Sequence, residues 1–263
     1  MQANPDVPMI DFLGFRFHDL DTVAAARVIA ARDPALPFVY VVTPNAQHLA
    51  GLSSGERLWR ENIEGGWLVL MDGRVVPHFA RLLFGRNLPT ASGSDVTVEL
   101  LRHHIRPTDA VTVIGGGAAL AKAMVDQFGF TNLAIHDPPM GFIHDPAAVE
   151  RCLDFLAAHP ARYIFLATGA PRSEILARAA IARGGMRGIG LCIGGSLLFA
   201  TGLVKRAPVW MQKAGLEGFY RLAQQPRTHF RRIFIDSLPV LWVLLRARFG
   251  GQGILPDTGR GEP

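Results

Sequence analysis

The sequence predicts an α/β fold: a mostly parallel, Rossmann-like sheet flanked by helices, followed by a helical, basic C-terminal appendage. Three observations carry this. Short β-branched apolar runs alternate with longer segments of helical spacing as far as Gly202. The runs are apolar at successive positions, as in strands covered on both faces. Beyond Gly202 the strand signal stops and basic residues accumulate.

In chain order, Asp21 opens a helical segment over Thr22 to Arg32, and FVYVVT (38–43) reads as the first buried strand. A helix over Gln47 to Asn62 leads to WLVLM (67–71), and Val96 to His104 leads to AVTVI (110–114). Ala118 to Phe128 connects this to NLAIH (132–136), Ala147 to His159 to RYIFLA (162–167), and Ser173 to Arg183 to GIGLCI (188–193). Repeated strand–helix–strand units imply parallel strands, with ligands received at their C-terminal ends. No internal repeat is present.

A chain of 263 residues, 49% apolar and 19% charged, can bury a full core. No basic segment followed by an apolar run opens it, so secretion is not expected. Near the end, Leu238 to Leu245 contains Pro239 and falls far short of the ~20 residues that span a bilayer. Cys152 and Cys192 fit no metal or disulfide spacing and read as two buried thiols in a reducing cytoplasm. From Leu203 to Arg248 nine basic residues face two acidic ones, a net +7 in a chain whose total is +5. Such local concentration suggests an anionic partner.

Four strand ends could carry chemistry. VIGGG, with Gly115 and Gly117 ahead of a helix, suits either an anion at a helix N-terminus or a plain tight turn. FLATGAPRSE repeats the design with Gly169, Pro171 and Glu174. In VVTPNAQHL, Thr43 and Asn45 can cap the following helix or face a ligand. Asp72 follows a buried strand and precedes Gly73, which fits a general base or an ordinary Asp-Gly turn. Asp19-Leu20-Asp21 has the D-x-D form of metal-dependent sugar transferases, but Asp21 is more simply a helix cap. The histidines lack metal-ligand spacing, so neither a metal nor a cofactor is expected.

Taken together, TPNAQHL, LMDGRVVP, SGSD, VIGGG, LATGAPRSE and GLVKRAPVWMQKAGLEGFYRLAQQPRTHFRR resemble the WecG/TagA/CpsF glycosyltransferase family over roughly Phe12 to Phe234. The resemblance implies an inverting transfer from a UDP-sugar, of N-acetylmannosamine or hexose type, to a polyprenyl-diphosphate-linked sugar in surface polysaccharide assembly. It implies an enzyme in the cytoplasm, peripheral on the inner face of the membrane. By the same resemblance Asp72 is the base, with Thr43 and Asn45 beside it; Gly115, Gly117, Gly169, Pro171 and Glu174 bind the nucleotide sugar. Arg206, Arg221, Arg227 and Arg231 meet the lipid diphosphate. Residues 1–202 would form the catalytic domain and 203–250 the membrane-proximal appendage, with 251–263 a disordered tail.

Departures from the family pattern are Ser173 where Gln is common, Leu198 for an acidic residue, Thr90 for Arg and Gly218 in place of the Trp of LEW. Nucleic acid is not an expected partner, and homo-oligomerisation stays open. Two competing classes remain: a nucleic-acid binder using the aromatics of the basic segment, and an inactive membrane-bound scaffold.

Overall fold

The computed structural model describes residues 6–208, 210, 211, 220, 222, 223 and 239–250. Its centre is a six-stranded parallel sheet, made of β3 (Val39–Val42), β4 (Leu68–Val69), β5 (Val111–Ile114), β6 (Leu133–His136), β7 (Tyr163–Leu166) and β8 (Ile189–Cys192). The strands lie in the order β4-β3-β8-β7-β5-β6. All six fall inside the apolar runs that the sequence marks as strands.

Both faces are covered, which is why those runs do not alternate. Val39, Val41, Val111, Val113, Phe165 and Leu191 point to one layer, formed by α1 (Thr22–Ala31), α5 (Gly93–His103) and α6 (Gly117–Phe128). Tyr40, Val42, Ile114, Ile164, Leu166 and Cys192 point to the other. That second layer holds α2 (Ala46–Ser53), α3 (Arg57–Glu64), α4 (Val75–Phe84), α7 (Pro146–Ala158) and α8 (Arg172–Arg183). A short α9 (Ser196–Ala200) follows β8. Both cysteines are buried and free; burial pushes the Cys152 thiol up to about 11 and also raises Cys192 well above the usual thiol range.

Several elements differ from the sequence reading. The helix expected over Gln47 to Asn62 is two helices, because Gly55 takes φ +79° and ends the first of them. An antiparallel hairpin, β1 (Met9–Phe12) and β2 (Phe15–His18), was not foreseen, and neither was α4. The hairpin covers the outer edge of β4, where the Val69 N–H donates to His18 Nδ1 at 3.0 Å, so the edge strand is not left open. Asp21 accepts the Ala24 N–H at 2.8 Å and is a helix cap.

The last described element is α10 (Pro239–Gly250), which lies against α2 and α4. Val240 and Leu244 are its fully buried residues and join the core below β3 and β4. Leu241 is half-buried, while Trp242 and Leu245 are exposed. Phe230, Ile233, Phe234 and Leu238, which precede them at helical spacing in the sequence, lie outside the described residues.

Gly188, at the start of β8, shows how tightly the sheet is closed. Its φ is +95°, and a Cβ placed there would stand 2.1 Å from the Ala161 carbonyl oxygen. Gly188→Ala should lose about 1–3 kcal/mol from backbone strain alone, with the clash in addition. A urea unfolding midpoint equal to that of the parent protein would contradict this account.

Candidate functional site

Because the strands are parallel, their C-terminal ends and the N-termini of the helices that follow share one edge of the sheet. Thr43 ends β3 and is 7% exposed. Two residues on, Asn45 caps α2, its Oδ1 accepting the Gln47 N–H at 3.0 Å. Asp72 lies just beyond β4, half-buried, and its backbone N–H donates to the Pro44 carbonyl at 2.8 Å. That bond holds the Asp72 segment against the Thr43–Asn45 segment, and Gly73 turns the chain away at φ +79°.

The SGSD segment reaches the same edge. The Ala91 N–H bonds to the Met71 carbonyl at 3.0 Å, and Ser92 caps α5 by accepting the Asp95 N–H at 3.1 Å. Gly93 has no room for a side chain, since a Cβ there would stand 2.9 Å from Thr43 Oγ1. Ser94 and Ser196 hydroxyls are 3.3 Å apart, which ties the start of α5 to α9. Thr43, Asn45, Asp72 and SGSD thus converge, as the candidate roles require.

The glycine loops form the other half of the edge. A Cβ on Gly115 would stand 3.1 Å from the Ala167 carbonyl, and one on Gly194 3.9 Å from the Gly169 Cα. The loops after β5, β7 and β8 therefore lie side by side as a floor of bare backbone, with Gly117 opening α6 and Pro171, after a cis peptide bond, capping α8. From β4 to β5 is four strand steps, or about 19 Å at the usual spacing. The glycine floor thus begins two strand steps from the end of β4, about 10 Å away, and extends to the end of β5.

Glu174 is placed differently from the glycines. It is 2% exposed, and its Oε1 lies 3.3 Å from His48 Nε2, so it faces α2 from inside the protein. Ser173, where the family commonly has Gln, is also buried: its hydroxyl donates to the Leu166 carbonyl at 2.8 Å. Leu198 packs half-buried against the core and Thr90 is half-buried. His48 is the one site-edge residue that reading by motif passed over; its i+3 spacing from Asn45 was the available signal.

Of the four arginines assigned to the lipid diphosphate, Arg221, Arg227 and Arg231 lie outside the described residues, as does Gly218. Arg206 is described, and its Nη1 donates to Asp95 Oδ1 at 2.6 Å. This bond fastens the start of the basic segment to the cap of α5, beside Thr43. Burial pushes the Asp95 carboxyl up, but hydrogen bonds from Arg206 and Ser92 and the charges of Arg206 and Arg74 outweigh it and hold the group below the usual carboxylate range.

Comparison with known proteins gives the family. The profile of the glycosyl transferase WecG/TagA/CpsF family matches residues 10–253, nearly the whole chain. The chain belongs to that family. A curated relative, the N-acetylglucosaminyldiphosphoundecaprenol N-acetyl-beta-D-mannosaminyltransferase of Bacillus subtilis (strain 168), is 29% identical over 160 residues, 60% of this chain. The match spans 61% of that relative's length. Among the described residues no helix is long and apolar enough to cross a membrane.

The Asp95–Arg206 bond has a pH signature. A folded-state carboxyl held below its unfolded value of about 3.9 contributes stability that is complete above that pH and fades as pH falls through the lower folded value. Asp95→Asn should therefore melt below the parent protein at pH 7, by a modest margin because the carboxylate is partly solvated. The two melting curves should converge as the pH falls below about 4. A gap that persists unchanged at low pH would show that the bond is not its source.

Proposed function

We propose that this protein transfers a sugar, with inversion, from a UDP-sugar of N-acetylmannosamine or hexose type to a polyprenyl-diphosphate-linked sugar during surface polysaccharide assembly. The observation that carries the reading is the single strand-end edge that holds Asp72, Thr43 and Asn45 together with the glycine loops, in a chain of this glycosyltransferase family. The relative's named acceptor, a lipid diphosphate bearing N-acetylglucosamine, supports the acceptor class.

In this reading the nucleoside diphosphate lies over the loops of Gly115, Gly117, Gly169 and Pro171, and the donor sugar reaches toward Asp72. The Asp72 carboxylate takes the proton of the acceptor hydroxyl as its oxygen attacks the anomeric carbon. The bond from that carbon to the β-phosphate oxygen breaks, and UDP leaves with the electron pair. Helix N-termini along the edge and arginines of the 203–250 appendage offset the charge of the departing diphosphate. Asp72→Asn retains the shape and removes the base, so turnover should fall ~100-fold or more with UDP affinity near the parent value. Turnover is read with a panel of UDP-sugars and a lipid-diphosphate acceptor. Full activity in the folded variant would remove Asp72 from the mechanism, and no turnover with any donor would favour the scaffold reading.

The appendage is assigned to the inner membrane surface. On α10, Trp242, Leu245 and Phe249 follow helical spacing on the face away from the core, with Trp242 64% and Phe249 78% exposed. Arg246 lies over the Trp242 ring at 5.5 Å and Arg248 over Phe249 at 5.7 Å. Apolar bodies with cationic heads beside them suit the headgroup region of an anionic leaflet. Replacing Trp242, Leu245 and Phe249 together by Ala should weaken flotation with phosphatidylglycerol vesicles at least ~10-fold, since each loses buried apolar area. The loss should leave UDP affinity unchanged. Undiminished flotation would place the membrane contact elsewhere.

A further inference from the structure

The buried pair His48–Glu174 has no part in the transfer as described, yet it ends on a residue of the site. Each side chain is 3% exposed, and Glu174 Oε2 is buried with no hydrogen-bond partner among the described residues. Taking a carboxyl group and an imidazole out of water is costly, and their contact recovers that cost only when every polar atom is satisfied. Apolar packing would tie α2 to α8 at lower cost. A buried carboxylate with an orphan oxygen therefore calls for a role other than stability.

Its geometry leads to Asn45. His48 Nε2 is held by Glu174 Oε1 at 3.3 Å, and Trp59 stands edge-on to the imidazole at 5.2 Å, so the ring is fixed on two sides. Its other nitrogen, Nδ1, lies 3.1 Å from Asn45 Oδ1 and 3.3 Å from the Asn45 backbone nitrogen. Nδ1 accepts the Asn45 backbone N–H and Oδ1 accepts the Gln47 N–H, so an amide turned end for end would set its N–H₂ against the Gln47 N–H. Among the described residues Asn45 Nδ2 makes no hydrogen bond, and it belongs to a half-buried side chain at the N-terminus of α2.

We infer that Glu174 and His48 form a buried clamp that locks the Asn45 amide with its N–H₂ toward the ligand, where it donates to an oxygen of the nucleotide's diphosphate. An amide nitrogen and the first free N–H groups of a helix offer donors only, which suits a phosphate oxygen. Glu174 and His48 are positioning residues: they act through Asn45 and do not touch the nucleotide. The inference rests on the donor reading above and gives Glu174 a role other than nucleotide-sugar contact.

Calorimetry with UDP on the full chain, with melting temperatures recorded alongside, tests it. Asn45→Asp retains a helix cap but turns an acceptor toward the phosphate, so UDP affinity should fall at least ~10-fold with the melting temperature near that of the parent. Asn45→Ala and Glu174→Gln should each weaken UDP several-fold, and the double variant should bind no worse than Asn45→Ala alone. His48→Gln provides a second break in the clamp if Glu174→Gln does not fold. Multiplying effects in the double variant, or a Glu174→Gln change confined to melting temperature, would overturn the clamp. Parent-like affinity in Asn45→Asp would overturn the diphosphate contact while leaving the donor reading intact. Failure of the parent protein to bind UDP would remove both.

Discussion

Parallel pairing of six strands is the constraint on which the rest of this molecule depends. It forces every strand to end on the same edge and every following helix to begin there, so uncapped N–H groups collect along one line. It also removes freedom from the loops. Thr43, Asp72, Gly115 and Gly169 come from strands far apart in sequence, yet each occupies the first one to three positions after a strand end. Their convergence requires no special contact between them, only the sheet.

Two kinds of fastening then divide the labour. Backbone bonds set the catalytic half: Asp72 N–H to Pro44 and Ala91 N–H to Met71 carry the chain along the edge without using a side chain that chemistry needs. Side-chain bonds attach what the sheet cannot reach. Arg206 to Asp95 brings the basic segment to the cap of α5, and Glu174 through His48 brings α8 to the cap of α2. Both side-chain bonds end at a helix cap on the site edge, so each converts an attachment into control over a helix N-terminus.

What was legible in the sequence follows from the range over which each signal acts. Six buried strands and most helices were readable because their signal is local and periodic. The hairpin β1–β2 was not: its turn is Leu13-Gly14, with Leu13 at φ +58°, and leucine gives none of the Asn-Gly warning that such a turn usually carries. Helix α4 starts without a side-chain cap and carries Pro77 in its first turn, so no helix-start signal marks its apolar run. On α10 the helix was anticipated but not its orientation, because Val240 and Leu241, like Trp242, are apolar, and only contact with α2 and α4 decides which turns inward. Glu174 reads in the sequence as part of a loop, and its burial against His48 was hidden for the same reason. Its partner is 126 residues away, and no spacing rule links them.

Helix α10 gives the edge a direction. It lies across α2 and α4, and those are the two helices that begin beside Asn45 and Asp72. Leu82, 69% exposed near the end of α4, is seven residues from the start of that helix, or about 10 Å along its axis. Any surface that receives Trp242 and Phe249 is therefore held in a set relation to the strand-end edge through the contacts of α10 with α2 and α4. A lipid-bound acceptor cannot diffuse to a site in three dimensions. Its hydroxyl lies at the depth where its headgroup holds it, so an enzyme that meets it must fix its own height and tilt. Under the proposed function, fully buried Val240 and Leu244 would do this by locking α10 to the core, and the arginine heads beside Trp242 and Phe249 would limit how far the helix sinks. Rigid docking of α10 thus bears on orientation of the site as much as on affinity for the membrane.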